Sequence, residues 1–298
     1  MRSPEPARGY DAILIGVLSG IGAASCWALG FVAVRHGLDA GFSPADLTIH
    51  RFLWSGLALL PLVWRGGLAD LNGIGWGGGL LLALLGGPGL TFVSYSGFLL
   101  VPLGHGGVIQ PSCVVLGGLL LATVWLRERL VATRAIGALV IIGGLIVIGS
   151  EALATLGAHG VAGDLIFVLT GLMFAVFGML LRKWRIVPMS ATAVISVLSL
   201  GLLPLYWGLG GFDHMVALGW RENALQALVQ GVLAGPAAVY LFARSVALLG
   251  AGRASVLPAL VPPFTLLTGW LVLGEVPTPL QLTGLVVVLV GFLLAQKS

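Results

Sequence analysis

Ten apolar runs divide the chain, lying near residues 12–34, 45–64, 73–99, 104–125, 133–150, 161–182, 189–208, 223–248, 252–273 and 279–296. A helix needs roughly 20 apolar residues to cross the hydrocarbon of a bilayer, so each run predicts a crossing. Charged residues, Pro and Gly collect in the breaks between them. A stretch such as Val286-Val287-Val288-Leu289-Val290 shows no alternation of polar and apolar positions, which excludes the strands of an outer-membrane barrel. The pattern predicts an all-α polytopic membrane protein with ten transmembrane helices.

The runs repeat. Pro111, Glu128, Gly137 and Gly144 recur as Pro258, Glu275, Gly284 and Gly291, each 147 residues later. Matching glycines mean little in a chain with 46 of them, but only five Glu occur in 298 residues. Gly87-Pro88 recurs as Gly235-Pro236, and Gly104 as Gly252. Leu60-Pro61-Leu62-Val63-Trp64 has a counterpart in Leu203-Pro204-Leu205-Tyr206-Trp207, and Leu18-Ser19-Gly20 in Leu169-Thr170-Gly171. The expected organisation is two five-helix repeats, residues 1–150 and 157–298. Five is odd, so the second repeat enters the membrane inverted. Secondary transporters are built this way, with the site near the midplane where the halves meet.

Ten crossings put both termini on one side. That side holds Arg2, Arg8, Arg65, Arg127, Arg129, Arg134, Arg182, Lys183, Arg185, Arg244, Arg253 and Lys297, and the other only Arg35, Arg51 and Arg221. By the positive-inside rule the termini are cytoplasmic, which puts Glu128 at the inner surface and Glu275 at the outer. Composition agrees: 58% hydrophobic, 9% charged, mean hydropathy +1.07, against about 25% charged in soluble domains. The pI of about 9.5 follows from scattered loop residues and implies no nucleic-acid partner. Cys26 and Cys113 are too few for a disulfide framework or a zinc site, and no metal or cofactor is expected. The first run is longer than the core of a signal peptide and reads as an uncleaved helix.

On these paired Pro, Glu and Gly positions the chain resembles the EamA repeat of the drug/metabolite transporter superfamily, whose members have ten helices in two five-helix repeats. The resemblance covers nearly the whole chain, and within the family the nearest likeness is to bacterial aromatic amino acid exporters. It implies a multi-pass protein of the bacterial inner membrane, not an enzyme, in which a monomer suffices for transport.

All eleven Asp and Glu fall at or near span ends, so no intramembrane carboxylate offers a conventional proton or sodium relay. His50 and Trp54 share a face of the second span, whereas Arg51 is expected to snorkel outward. Trp27, Tyr95, Gln110, Phe174, Phe177 and Tyr240 complete an expected substrate-binding set, with Tyr240 on a stripe of the eighth span that includes Gln226, Gln230, Leu233, Ala237 and Arg244. Ring walls with a few hydrogen-bonding groups suit small amphipathic molecules and, by cation–π attraction, organic cations. Gly87, Pro88, Gly235 and Pro236 interrupt their helices at matching places and are candidate hinges. The fifth and tenth spans read as scaffold, since almost no polar side chain interrupts them. Gly73-x-Gly75-x-x-Gly78 fits a dinucleotide fingerprint only by letter, because no strand precedes it. The expected function is export of amino acids with aromatic or large apolar side chains. Efflux of lipophilic cationic drugs is the alternative, and a receptor or scaffold without flux is a remote one.

Overall fold

A computed structural model describes residues 7–67, 69–125, 132–249, 254 and 257–295. Among these the chain is helical throughout, without a strand. That is the form in which a segment satisfies its own backbone away from water. In order the apolar helices are α1 (Asp11–Asp39), α2 (Pro44–Gly66), α3 (Trp76–Gly97), α4 (Leu103–Val124), α5 (Ala132–Ile148), α6 (Gly157–Trp184), α7 (Pro188–Gly208), α8 (Trp220–Leu249), α9 (Leu257–Leu273) and α10 (Pro279–Ala295). Seven are long and apolar enough to cross a membrane; α5, α9 and α10 are shorter. The chain is a membrane-spanning, multi-pass protein. Glu128 and Gly252, along with Arg2, Arg127, Arg129, Arg253 and Lys297, lie outside the described residues.

Local chemistry sets the ends. At α2, Ser43 Oγ accepts from Asp46 N at 3.2 Å, and Asp46 Oδ2 accepts from Ser43 N at 2.7 Å, with Pro44 opening the helix. This reciprocal cap fills two otherwise orphaned donors. The same Asp46 carboxylate takes the Tyr206 hydroxyl and lies 2.9 Å from His214 Nδ1, so it ties α2 to the end of α7 and to the short helix Gly211–Ala217 beyond it. Helical geometry continues past α5 to Gly157, where φ 61° and ψ −144° redirect the chain into α6. An L side chain rarely takes that φ, so glycine belongs there.

Two helices are interrupted within. In α3 the break falls at Gly87, between Trp76–Gly86 and Pro88–Gly97. A Cβ on Gly87 would lie 2.6 Å from Ala83 O and 2.5 Å from Ile195 Cγ2, so only glycine fits the bend. In α8, Ala227–Ala237 winds in wide π-type turns and leaves helical geometry at Gly235, one residue before Pro236. Each Pro lacks the amide hydrogen that would continue the ladder.

Backbones approach closely between α5 and α10, which run antiparallel. A Cβ on Gly137 would lie 2.8 Å from Gly291 O, and one on Gly144 would lie 2.9 Å from Gly284 O. The reverse contacts, Gly291 to Gly137 O at 2.9 Å and Gly284 to Gly144 O at 3.0 Å, close the set. Small residues allow such approach in membranes, where packing rather than water drives association. Elsewhere aromatic rings fill the core: Phe98, just past α3, packs at a tilt against Phe31 of α1 at 5.8 Å and Phe167 of α6 at 4.7 Å between centroids.

Candidate functional site: an aromatic cavity with one cationic wall

A cavity of about 330 Å³ lies among α1, α2, α3, α4, α6 and α8, reaching the start of α9 and the far end of α10. Six rings wall it: Trp27, Phe31, Tyr95, Phe174, Phe242 and Phe292. Trp27 and Phe242 hold each other at 5.6 Å between centroids. The polar groups on the wall are Arg51, Thr91, Ser94 and Gln110, and Ser94 Oγ donates to Gln110 Oε1 at 3.0 Å. Pro111 of α4 and Pro258 near α9, the paired prolines of the repeat, both face the same space.

The break in α8 builds one side. Ala238 N donates to Leu233 O and Gly235 O, so Ala234 O loses the partner that a regular helix would give it. Arg51 Nη2 takes that carbonyl at 3.1 Å. Arg51 Nη1 also reaches Gln230 Oε1 at 3.3 Å and Tyr95 Oη at 3.4 Å, while Tyr95 Oη donates to Gln230 Oε1 at 2.7 Å. Gln230 Nε2 donates to Gly30 O of α1 at 2.8 Å, and Gln226 Nε2 to Ala33 O at 2.8 Å. Gly30 permits the approach, since a Cβ there would meet Ala234 Cβ at 2.7 Å. One knot of side chains thus joins α1, α2, α3 and α8.

More polar contacts lie toward the same ends of these helices. Arg35 Nε sits 3.1 Å from Glu275 Oε1 in an ion pair without hydrogen-bond geometry, its Nη1 donates to Phe98 O at 3.0 Å, and Glu275 Oε2 accepts from Leu103 N at 3.1 Å. His36 Nε2 lies 2.9 Å from Glu222 Oε2, and buried His105 Nδ1 lies 3.0 Å from Asp164 Oδ1. These histidines and carboxylates are engaged with one another and stand apart from the ring-walled space. A second hollow of about 360 Å³ adjoins Arg35 and Glu275. Among the described residues no group of three His, Cys, Asp or Glu is placed to hold a metal.

Of the residues expected at the site, Trp27, Tyr95, Gln110 and Phe174 stand on the cavity wall. The structure corrects the placement of four others. His50 is fully buried, with Nε2 3.0 Å from Asn223 Oδ1 and Nδ1 accepting from Trp54 Nε1 at 3.1 Å, so both ring nitrogens are committed away from the cavity. Trp54 backs α8, where a Cβ on Gly231 would lie 2.6 Å from its Cβ. Phe177 packs behind Phe174 at 5.2 Å and against Gly86, in a cluster with Phe52 and Leu82. Tyr240 is 54% exposed on the outside of α8. Wide winding explains it: buried positions step by four through Gln226, Gln230, Ala234 and Ala238, which carries the inward face onto Phe242 and off Tyr240.

Arg51 is also corrected, since it reaches inward where sequence suggested snorkelling. Its place on a helix with no Asp or Glu one turn away was the available signal. Phe292 corrects the reading of the tenth span as scaffold alone. Gly87, Pro88, Gly235 and Pro236 sit at the two helix breaks.

A multi-pass helical bundle around a ring-walled cavity is the build of a membrane transporter. The EamA-like transporter family matches residues 14–150 and 161–296, and the chain belongs to that family, within the drug/metabolite transporter superfamily. It is 24% identical to the "Uncharacterized transporter YdfC" of Bacillus subtilis, over 89% of this chain and 85% of that one. It is 28% identical to a "Probable terminal-alkyne amino-acid exporter" of Streptantibioticus cattleyicolor, over 91% and 90%. A crystal structure superposes with a TM-score of 0.61 over 96% of both chains at 19% identity, a likeness of fold. Members of the family are transporters rather than enzymes.

Proposed function

We propose that the protein exports small amphipathic metabolites, amino acids with aromatic or large apolar side chains above all, across a bacterial inner membrane. The cavity carries this reading: its size and six rings suit one such side chain, and its few polar groups suit a head group. The relative named as an amino-acid exporter supports the substrate class.

On this reading the chain crosses ten times as two inverted five-helix repeats with cytoplasmic termini. The α5–α10 contact supports it. Gly137 meets the repeat counterpart of Gly144, and Gly144 meets the counterpart of Gly137, which is the reciprocity of a two-fold relation. Transport proceeds by alternating access, the halves rocking about the cavity with the breaks at Gly87-Pro88 and Gly235-Pro236 absorbing the bend. Efflux of lipophilic cations would gain from the rings, but the guanidinium of Arg51 on the wall weighs against it.

Flux into proteoliposomes tests the proposal. Radiolabelled Trp, Phe or Met should cross with reconstituted protein and not with empty vesicles. Absence of flux for all three, with or without a gradient, would overturn it. Binding without flux would point to a receptor.

A further inference from the structure

Arg51 is a charge without a counter-charge. Among the described residues no carboxylate pairs with it, and its three acceptors are neutral: a phenol, an amide and a backbone carbonyl. Two of the three bonds, at 3.3 and 3.4 Å, are at the long limit for a hydrogen bond. A guanidinium offers five donors in a planar fork, so this one is under-satisfied. Its surroundings are apolar rings, where an unpaired charge is costly. The shape that completes such a fork is a carboxylate, bound by two parallel charge-assisted hydrogen bonds.

We infer that Arg51 is the anion-binding group of this cavity and that its ligand is an amphipathic carboxylate, recognised by its acid group rather than by an ammonium group. The inference rests on the proposed transport site and adds the ligand's head-group chemistry. No Asp or Glu stands on the described wall. An ammonium group therefore finds only neutral partners, Thr91, Ser94 and Gln110, and is repelled by Arg51. The apolar body has a defined place. Phe242 stands on the same cavity wall as Arg51, beyond the break at Gly235. With the head group at Arg51, a phenyl tail has the Trp27–Phe242 pair on the same wall to pack against. A bound carboxylate exchanges the two long bonds for shorter ones and leaves Tyr95 and Gln230 bonded to each other.

The test is calorimetric titration of the purified full chain in nanodiscs with four ligands of one shape: 3-phenylpropanoate, phenylalanine, 3-phenylpropanamide and 2-phenylethylamine. The two carboxylates should bind within about tenfold of each other, and the amide and amine at least about tenfold more weakly. Arg51→Gln should weaken both carboxylates at least about tenfold and change the amide less than about threefold. If the variant does not fold, the order of the four ligands on the unaltered protein decides. An amine or amide that binds as tightly as the acid and competes with it removes the anion anchor and leaves the cavity as the transport site. Equal weakening of acid and amide by Arg51→Gln does the same. Failure of all four to bind, together with no flux in proteoliposomes, overturns the transport reading and this inference with it.

Discussion

The contact of α5 with α10 and the knot that joins α2 to α1, α3 and α8 both bring helices close, but they hold by different means. The first is dry: Gly137, Gly144, Gly284 and Gly291 bring backbone against backbone. The second is made of side chains: Arg51, Gln230 and Gln226 reach backbone carbonyls beside a broken helix, and Tyr95 donates to the Gln230 amide. Close packing is stiff because neither surface can yield, whereas hydrogen bonds to neutral partners can be exchanged one for another. The comparison assigns rigidity to one side of the bundle and exchangeable contacts to the side that faces the cavity.

The strongest way to break this contrast is at the dry seam. Gly144→Leu would drive a side chain into Gly284 O and Val288 Cγ2, the latter 2.7 Å from the new Cβ, and should cost about 3 kcal/mol or more. The expected readout is loss of monodisperse protein in detergent, with Gly143→Leu as control. Gly143 has no neighbour within 4 Å of its Cβ position, so that variant should purify normally. If Gly144→Leu is tolerated, the seam is not rigid.

A smaller effect is expected at the knot. Gln230→Leu removes the acceptor shared by Tyr95 and Arg51 and the donor to Gly30 O. Leaving such groups unpaired costs about 1–3 kcal/mol. A lowered but cooperative thermal transition should result, with substrate flux altered by more than the stability. A collapse as complete as that of Gly144→Leu would erase the distinction between the two regions.

The least effect is expected outside the cavity. Tyr240→Ala should leave flux and melting unchanged, because that side chain faces outward. Phe242→Ala should raise the half-saturating substrate concentration about tenfold by removing one wall. Reversal of this pair would restore the register that sequence suggested for α8.

That register shows where sequence reasoning stopped. Helical runs were legible because hydrocarbon imposes length and composition on every crossing. Matched glycines were legible because a recurrent spacing survives without knowledge of contacts. The face of α8 beyond Gln230 was not, since wide turns around Gly235-Pro236 rotate everything that follows and no residue letter records the rotation. His50 and Arg51 are neighbours on α2, so one helical step of about 100° decides which enters the cavity. Asn223 and Trp54 on one side, and Ala234 O, Gln230 and Tyr95 on the other, make that choice.

The glycine seam has a further consequence. At each of the four glycines a Cβ would lie within 3.0 Å of the facing glycine's carbonyl oxygen, so all four are constrained alike. The cavity carries no such constraint. Carrying the repeat offsets across, Arg51, Tyr95 and Gln110 of the first half correspond to Val194, Ala243 and Leu257 of the second. Each polar member thus has an apolar twin. Among the described residues the chamber is therefore lopsided, its charge contributed by Arg51 of the first half alone. A cargo with one polar end and one oily end would have a single way round in it, and on the proposed repeat organisation the head-to-tail direction of passage would be written into the sequence by divergence between the two halves.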